Sequence, residues 1–558
     1  MAAPRASPSG VGARLYLHSA RAAGMAFVFV PLYVHAITWA TASLLLLWLW
    51  TSHVYGYWTA RGVPSPRPAP LFGNIRDIVL RREYTGKVFQ RLYRALGDHG
   101  LGGVYLLFQP ALLVRDPELV KTFLVKDFEH FHDRGFKVDE RASPLSAHLI
   151  SLAGPRWRRL RAELTPTFTS GKMRLMFGAV AECAGEMARR LAGVSGRAGG
   201  VDVKEVAAQF TTDVIGSCAF GLRVHSMDRP DCKFRKLGRK VFAPSLRMYL
   251  RIFTMMCLPS WMQFLLVVFK DRETESFFMD LVRDTVKYRE ENHVVRNDFL
   301  QLLIQLKNRK QVANGQSMNS VDAKETKNGY GVKNHQTPDF ELTENLMAAQ
   351  CFVFFMAGFE TSSTTMGFCL HELAVNPDVQ KRLRNEVDDA LERHGGELSY
   401  EAVQSMSYMD LVVSETLRKY PPIPMLDREC TKAYTVPGTN VHLEEGIKVK
   451  IPVYAIHHDP KYYPEPDKFD PERFTEENRR KIPPFAYLPF GEGPRMCIGM
   501  RFGLMQAKVG LAALLSKFEF CKCPKTQIPL EMDAVTIVTS PKGGVWLKII
   551  DRPKINQL

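Results

Sequence analysis

A framework of closely spaced cysteine pairs is missing from this chain: its ten cysteines include no Cys-x-x-Cys, and the only tight pair is Cys521-Lys-Cys523. That excludes a disulfide framework and a zinc finger or ribbon, and points to a reducing compartment with mostly inert thiols. No Gly-x-Gly-x-x-Gly follows a strand-like run, so the chain carries no recognisable nicotinamide or flavin site. Internal repeats are absent too, and nothing resembles a nucleic-acid module, which leaves nucleic acid without a reader. Charge is lacking over one long stretch: from Ala22 to Ala60 there is no Asp, Glu, Lys or Arg.

That uncharged stretch holds Met25–Trp50, with its Leu44–Leu47 run and Trp39, Trp48 and Trp50. A bilayer core of about 30 Å needs roughly 20 apolar residues in a helix, and aromatics sit well at its interfaces. The block is too long for a signal peptide and no small-residue cleavage site precedes Arg61. We read 1–24, with Arg5, Arg14 and Arg21, as a basic leader, 25–57 as a membrane anchor, and 58–70 as a hinge. The alternate prolines of Val63-Pro-Ser-Pro-Arg-Pro-Ala-Pro70 predict a stiff extended spacer in that hinge. Basic residues after the anchor (Arg61, Arg67, Arg76, Arg81, Arg82) outnumber those before it, which places the body on the cytosolic side.

Elsewhere 46% of residues are hydrophobic, enough for a large core, and the net charge of +16 suits an anionic membrane surface or an acidic protein partner. Leu71–Asn74 and the alternating Val104–Val114 region predict a small sheet, and amphipathic helical patterns dominate from Pro117 to Pro377. Lys307–Thr337, rich in Asn, Lys, Gly, Gln and Ser, predicts a flexible insertion. Pro421–Pro489 is proline-dense and irregular, and helical character returns after Gly499. The fold class expected is mostly α with a minor β-sheet (α+β), as one large domain over 71–558 behind a transmembrane helix.

The densest motif is Phe490-Gly-Glu-Gly-Pro-Arg-Met-Cys-Ile-Gly499. Cys497 offers a thiolate, the axial ligand that pushes electron density onto a haem iron. Gly491, Gly493 and Gly499 let the backbone approach a flat macrocycle, Phe490 covers the sulfur, and Arg495 presents a guanidinium fork to a propionate. Phe-x-x-Gly-x-Arg-x-Cys-x-Gly resembles the loop of the cytochrome P-450 haem-thiolate monooxygenases. Glu415-Thr-Leu-Arg418, with its two charges on one helical face, and Arg473 in Pro471-Glu-Arg-Phe474 resemble the same family. There the three charges brace the loop from behind. Ala357-Gly-Phe-Glu-Thr361, opening five successive hydroxyl residues inside the apolar run Leu346–Leu373, predicts a bent helix over the iron. It matches the family's Ala-Gly-x-Glu-Thr, so Glu360 and Thr361 are expected to handle protons.

By the same resemblance Trp157, Arg161, Arg428 and Arg134 join Arg495 as candidates for the haem propionates. Phe354, Ala357, Ile423, Met425, Leu426 and Ile537 are candidates for an apolar substrate pocket. The resemblance implies haem b, dioxygen as cosubstrate, NADPH acting through a flavoprotein reductase, cytochrome b5 as an optional partner, and an endoplasmic reticulum membrane location. Within the family, Leu145-Ser-Ala-His148 and Pro166–Lys172 look most like the microsomal drug- and toxin-metabolising clan, especially insect members. Two alternatives remain: a haem-thiolate isomerase or dehydratase, and a non-catalytic haem or lipophile binder. The Arg-bearing leader keeps a mitochondrial address as the other location, and Met255–Leu266 is a second apolar patch able to dip into a bilayer.

Overall fold

The computed structural model describes residues 34–316 and 342–553, apart from 36, 137, 139, 141–142, 198, 243–244, 247–249, 251–253 and 255–270. The leader 1–24, the patch Met255–Leu266 and positions 317–337 of the insertion therefore lie outside the described residues. The helices that frame the site are α1 (Gly154–Leu164), α2 (Ser170–Ala192), α3 (Val203–Ile215), α4 (Phe299–Gln316), α5 (Glu344–Val375), α6 (Ser407–Lys419) and α7 (Met500–Leu515). Helix α5 is apolar around most of its circumference, and such a helix is stable only when buried on all sides. It runs through the centre, packed on α3, α7 and the helix Arg272–Glu291, and starts where the Thr343 hydroxyl accepts from Leu346 N at 3.2 Å. Helix α4 extends to residue 316, so the first part of the insertion expected at Lys307–Thr337 is helical.

The sheets are small and mostly antiparallel. Strands β1 (Leu101–Leu106), β2 (Gln109–Val114), β4 (Leu426–Glu429) and β5 (Lys448–Ile451) form one sheet in the order β1-β2-β5-β4, with β2 and β5 parallel. Strands β3 (Val201–Asp202), β6 (Phe518–Cys521) and β7 (Trp546–Asp551) form another, with β7 central. The sheet expected at Leu71–Val114 is present, and Gly73 bridges to Leu106.

One helix among the described residues, Ile37–Arg61, is long and apolar enough to cross a membrane, and its span is 6% buried. Its last turn enters the body, running past the boundary expected at residue 57. Trp58 is fully buried; its backbone N donates to Tyr105 Oη at 3.1 Å and its indole Nε1 to Val104 O at 3.2 Å. The strand beneath it has Gly103, where an added Cβ would lie 2.1 Å from the indole. The proline segment is also docked rather than spanning free. Pro64 O accepts from Gly103 N at 2.8 Å and Pro66 O from Asn74 Nδ2 at 3.0 Å. The sequence predicts its extended shape, but those two carbonyls tie it to the sheet.

Trp58 therefore belongs to the catalytic body's core. Trp58→Ala is expected to cost about 3–5 kcal/mol by loss of a large buried ring, read as a lower denaturation midpoint of the full chain in detergent. Trp48→Ala, at a 62% exposed position, is the control and should change the midpoint by less than about 0.5 kcal/mol.

Candidate active site

Cys497 sits at the end of a tight loop that feeds directly into α7. Within the loop Gly491 N donates to Leu488 O at 3.1 Å, Met496 N to Gly493 O at 3.0 Å and Cys497 N to Phe490 O at 2.8 Å. Gly493 has φ +73°, and an added Cβ would lie 2.1 Å from Leu124 O, so only glycine fits there. Cys497 is exposed by surface area, yet burial is the largest influence on its thiol and pushes it up. The Gly499 N–H, Arg161 and Arg134 pull the thiol the other way, and the N-terminal end of α7 adds a favourable dipole.

Helix α5 brings the second half of the site. It is one continuous helix from Glu344 to Val375. As the sequence predicts, hydroxyls of the run bond back into their own helix: Thr361 Oγ1 to Ala357 O at 2.5 Å, Thr365 Oγ1 to Thr361 O at 2.8 Å and Ser363 Oγ to Glu360 O at 3.1 Å, while Thr364 Oγ1 is buried without a partner. Ala357 is exposed in the midst of this buried element. Gly503, in the first turns of α7, faces Ser362 Oγ, which brings the cysteine loop and the Ala357–Thr361 turn into one region. Gln350, buried on α5, holds the roof: its Oε1 accepts from Leu149 N at 3.0 Å and its Nε2 donates to Ala147 O at 3.1 Å.

Three arginines converge beside the loop. Burial is the largest influence on each, pushing Arg134 down to about 10, Arg428 to about 9 and Arg495 to about 8, with Arg134 repelling Arg428 and both of them repelling Arg495. The nearby Asp427 carboxylate is occupied by Lys450, and Arg428 Nε is buried without a hydrogen-bond partner. Such a cluster calls for an anion. The two propionates of a haem supply two carboxylates, so these residues fit that group. Arg495 does more than offer a fork. It donates to His132 O, Leu149 O, Leu152 O and Asp133 Oδ1 at 2.7–3.4 Å, and its guanidinium lies 3.8 Å from the Trp157 ring centroid. Trp157 is thus the platform under Arg495, while Arg134 Nη2 donates to Arg495 O at 3.0 Å. Phe490 is half-buried against the main core.

Behind the loop, Arg418 and Glu415 form a fully buried two-pronged pair, Nε to Oε2 at 2.7 Å and Nη2 to Oε1 at 2.8 Å. Arg473 is the looser third member: its Nε is 3.5 Å from Glu415 Oε1, and its Nη2 donates to Glu465 O at 3.0 Å. The sequence reading missed His457, which links this pair to the loop. Arg418 Nη1 donates to His457 O at 2.9 Å, the imidazole Nδ1 meets Arg418 O at 3.1 Å, and Nε2 accepts from Leu488 N at 2.8 Å. Burial, with Arg418 nearby, pushes the imidazole down to about 3 and keeps it neutral.

Of the candidate substrate residues, Leu426 lies at the loop, within 3.6 Å of a Cβ built on Gly491. Ile423 and Ile537 are exposed apolar side chains on segments joined by Thr539, which bonds Pro421 O at 2.6 Å and Pro422 O at 2.8 Å. Met425 is buried in a separate cluster against β1 and β2. Phe354 is spent elsewhere: its ring centroid is 4.3 Å from that of Phe299 and 5.1 Å from that of Phe168.

The family model described as Cytochrome P450 matches residues 63–547. The chain is 43% identical over 514 residues to probable cytochrome P450 6a13 of Drosophila melanogaster, covering 91% of this chain and 98% of that protein. It is 41% identical over 505 residues to probable cytochrome P450 6a14 of the same fly (89% and 95%) and 40% identical over 498 residues to cytochrome P450 6k1 of Blattella germanica (89% and 93%). None of these relatives favours an isomerase, a dehydratase or a non-catalytic binder.

Proposed function

Since the chain belongs to the cytochrome P450 family, and is a haem-dependent monooxygenase supplied with electrons by an NADPH-dependent reductase, we propose that its substrates are lipophilic small molecules, xenobiotics or endogenous lipids. Haem on a thiolate supplies the reductive use of dioxygen, with one oxygen atom entering the substrate and the other leaving as water. In this reading Cys497 is the iron ligand, Arg134, Arg428 and Arg495 hold the propionates with Arg161 and Trp157 in support, and Glu415, Arg418 and Arg473 brace the loop. The exposed apolar surfaces of Ile423 and Ile537, with Ala357 and Leu426, support an apolar pocket. The one observation that carries the reading is that α5, a largely buried continuous helix, leaves Ala357 exposed and Thr361 half-exposed beside the thiolate loop. Thr361 Oγ1 holds a proton there, and Glu360 is the adjacent carboxylate able to replace it.

The Ile37–Arg61 helix fits a membrane-anchored protein, and we place it in the endoplasmic reticulum with the body cytosolic. Exposed Arg158 and Arg159 on α1 support docking of an acidic reductase, and cytochrome b5 is a second donor of the same charge. The test is Thr361→Ala in the haem-loaded, membrane-bound protein with reductase. The thiolate-type reduced carbon-monoxide spectrum should persist, while product formed per NADPH consumed falls about tenfold or more and hydrogen peroxide rises. An unchanged ratio would reduce Thr361 to packing.

A further inference from the structure

Ile423 and Ile537 are each exposed beside buried neighbours: Pro421, Pro422, Pro424 and Met425 around the first, and residues 538–541 after the second. What sets the distance between them is a string of bonds to carbonyls. Three of the four residues 421–424 are prolines without an N–H, so this segment is held mainly through its carbonyls. Thr539 takes two of them, its Oγ1 donating to Pro421 O at 2.6 Å and its N to Pro422 O at 2.8 Å. Tyr454 N donates to Pro424 O at 3.0 Å. The segment bearing Ile537 is a closed turn: Met532 bridges Pro541, and Asp533 N donates to Ser540 O at 2.8 Å.

Thr539 is itself held from a third element. Tyr84, at the start of the helix Thr85–Ala95, is buried and places its Oη 2.5 Å from Thr539 Oγ1. The direction of that bond follows from counting protons. A hydroxyl has one proton, and Thr539 gives its own to Pro421 O. Tyr84 is therefore the donor, and the chain runs from Tyr84 Oη through Thr539 Oγ1 to Pro421 O. Burial pushes the phenol up, so it stays a neutral donor. The ring is fixed as well: its centroid is 5.5 Å from that of Tyr454, edge to face. Gly86 leaves the room both rings need, since an added Cβ would run into the Tyr84 ring and lie 2.9 Å from Tyr454 Cγ. One aromatic pair thus grips both ends of the 421–424 segment, on either side of Ile423, and reaches the Ile537 turn through Thr539. We propose that Tyr84 is a positioning residue for substrate: its hydroxyl, acting through Thr539, sets the gap between the Ile423 and Ile537 side chains and so the fit of an apolar substrate between them. This deepens the apolar pocket proposed above and rests on it.

The experiment titrates the full-length, haem-loaded protein in membranes with imidazole and with N-octylimidazole, following the absorbance change as the ring nitrogen ligates the iron. The ratio of the two dissociation constants reports the walls that the octyl chain meets, and changes at the haem cancel. The parent should prefer the octyl ligand. Tyr84→Phe should cut that preference about fivefold, the scale of one neutral hydrogen bond, with imidazole alone unchanged within about twofold. Thr539→Val should cut it as far, while Thr539→Ser, which keeps the hydroxyl, should retain the parental preference. Tyr84→Phe combined with Thr539→Val should be no worse than Thr539→Val alone, because both break one chain. A parental preference in Tyr84→Phe, while Ile423→Ala or Ile537→Ala lowers it, would overturn the proposal and leave the pocket standing, even if the denaturation midpoint fell. Should Tyr84→Phe fail to take up haem, the two Thr539 variants carry the test: an equal preference in Thr539→Val and Thr539→Ser would overturn it, assigning the contact to packing. No octyl preference in the parent, or none lost in either isoleucine variant, would instead remove the apolar pocket itself.

Discussion

A Cys497→Ser chain is expected to lose the thiolate-type reduced carbon-monoxide band and all reductase-dependent turnover, while Cys430→Ser keeps both. The contrast comes from what surrounds each sulfur. Around Cys497 the Gly499 N–H, Arg161 and Arg134 all favour the anion, against burial that favours the thiol; a bound cation tips that balance to thiolate outright. Burial pushes Cys430 up to about 11, with the Glu445 and Glu429 carboxylates adding to it and the Lys432 backbone opposing it. Cys218 and Cys369, buried among apolar side chains, are pushed up to about 12 and are likewise inert. Serine at 497 cannot give an anion near neutral pH, so the substitution removes the ligand while leaving the loop's hydrogen bonds in place. A serine chain that kept the band, with Cys430→Ser losing it, would move the iron to another sulfur.

What the sequence disclosed and what it hid divide along one physical line. The cysteine loop and the Glu415–Arg418 pair were legible because their chemistry depends on spacings of a few residues, within one turn or one loop. The single-helix reading of Leu346–Leu373 holds, and the back-bonding that the hydroxyl run predicts is present at Thr361, Ser363 and Thr365, while Thr364 Oγ1 is buried without a partner. Lys204 was illegible: its Nζ lies 2.5 Å from Glu360 Oε1 although the two are 156 positions apart, and nothing in a lysine near a helix start marks it as half-buried. His457 was hidden for the same reason, because its value lies in joining Arg418 to Leu488 across the fold. Arg495 was read as a propionate fork, whereas most of its five donors bind protein groups. The docking of the proline segment is not legible in its own residues, since it is set by Gly103 and Asn74. Phe354 is a substrate candidate by resemblance to the family, and its aromatic neighbours in the fold, Phe168 and Phe299, are distant in sequence.

Arg418→Met is expected to lower the unfolding midpoint by an amount equivalent to about 3–5 kcal/mol and to convert the thiolate-type spectrum to a thiol type, because a buried carboxylate is left without its partner. Arg418 and Glu415 are both fully buried, so no water can replace the two bonds lost at Glu415. The arginine also holds the His457 and Pro466 carbonyls at 2.9 and 2.8 Å. Through the His457 ring it reaches Leu488 N, two residues before Phe490, whose carbonyl accepts from Cys497 N. Loosening Arg418 therefore loosens the sulfur's own backbone. The double variant Glu415→Gln with Arg418→Met should recover part of the loss, since the uncompensated charge goes while the packing defect stays. Arg473→Met should cost only about 1 kcal/mol, because that guanidinium is 3.5 Å from Glu415 and held chiefly by the Glu465 carbonyl. Denaturant unfolding of the three chains, followed by the carbon-monoxide difference spectrum of each, separates these expectations. Equal losses in Arg418→Met and Arg473→Met would mean that the brace is a shared charge cloud rather than a directed chain of bonds running from Glu415 to the thiolate.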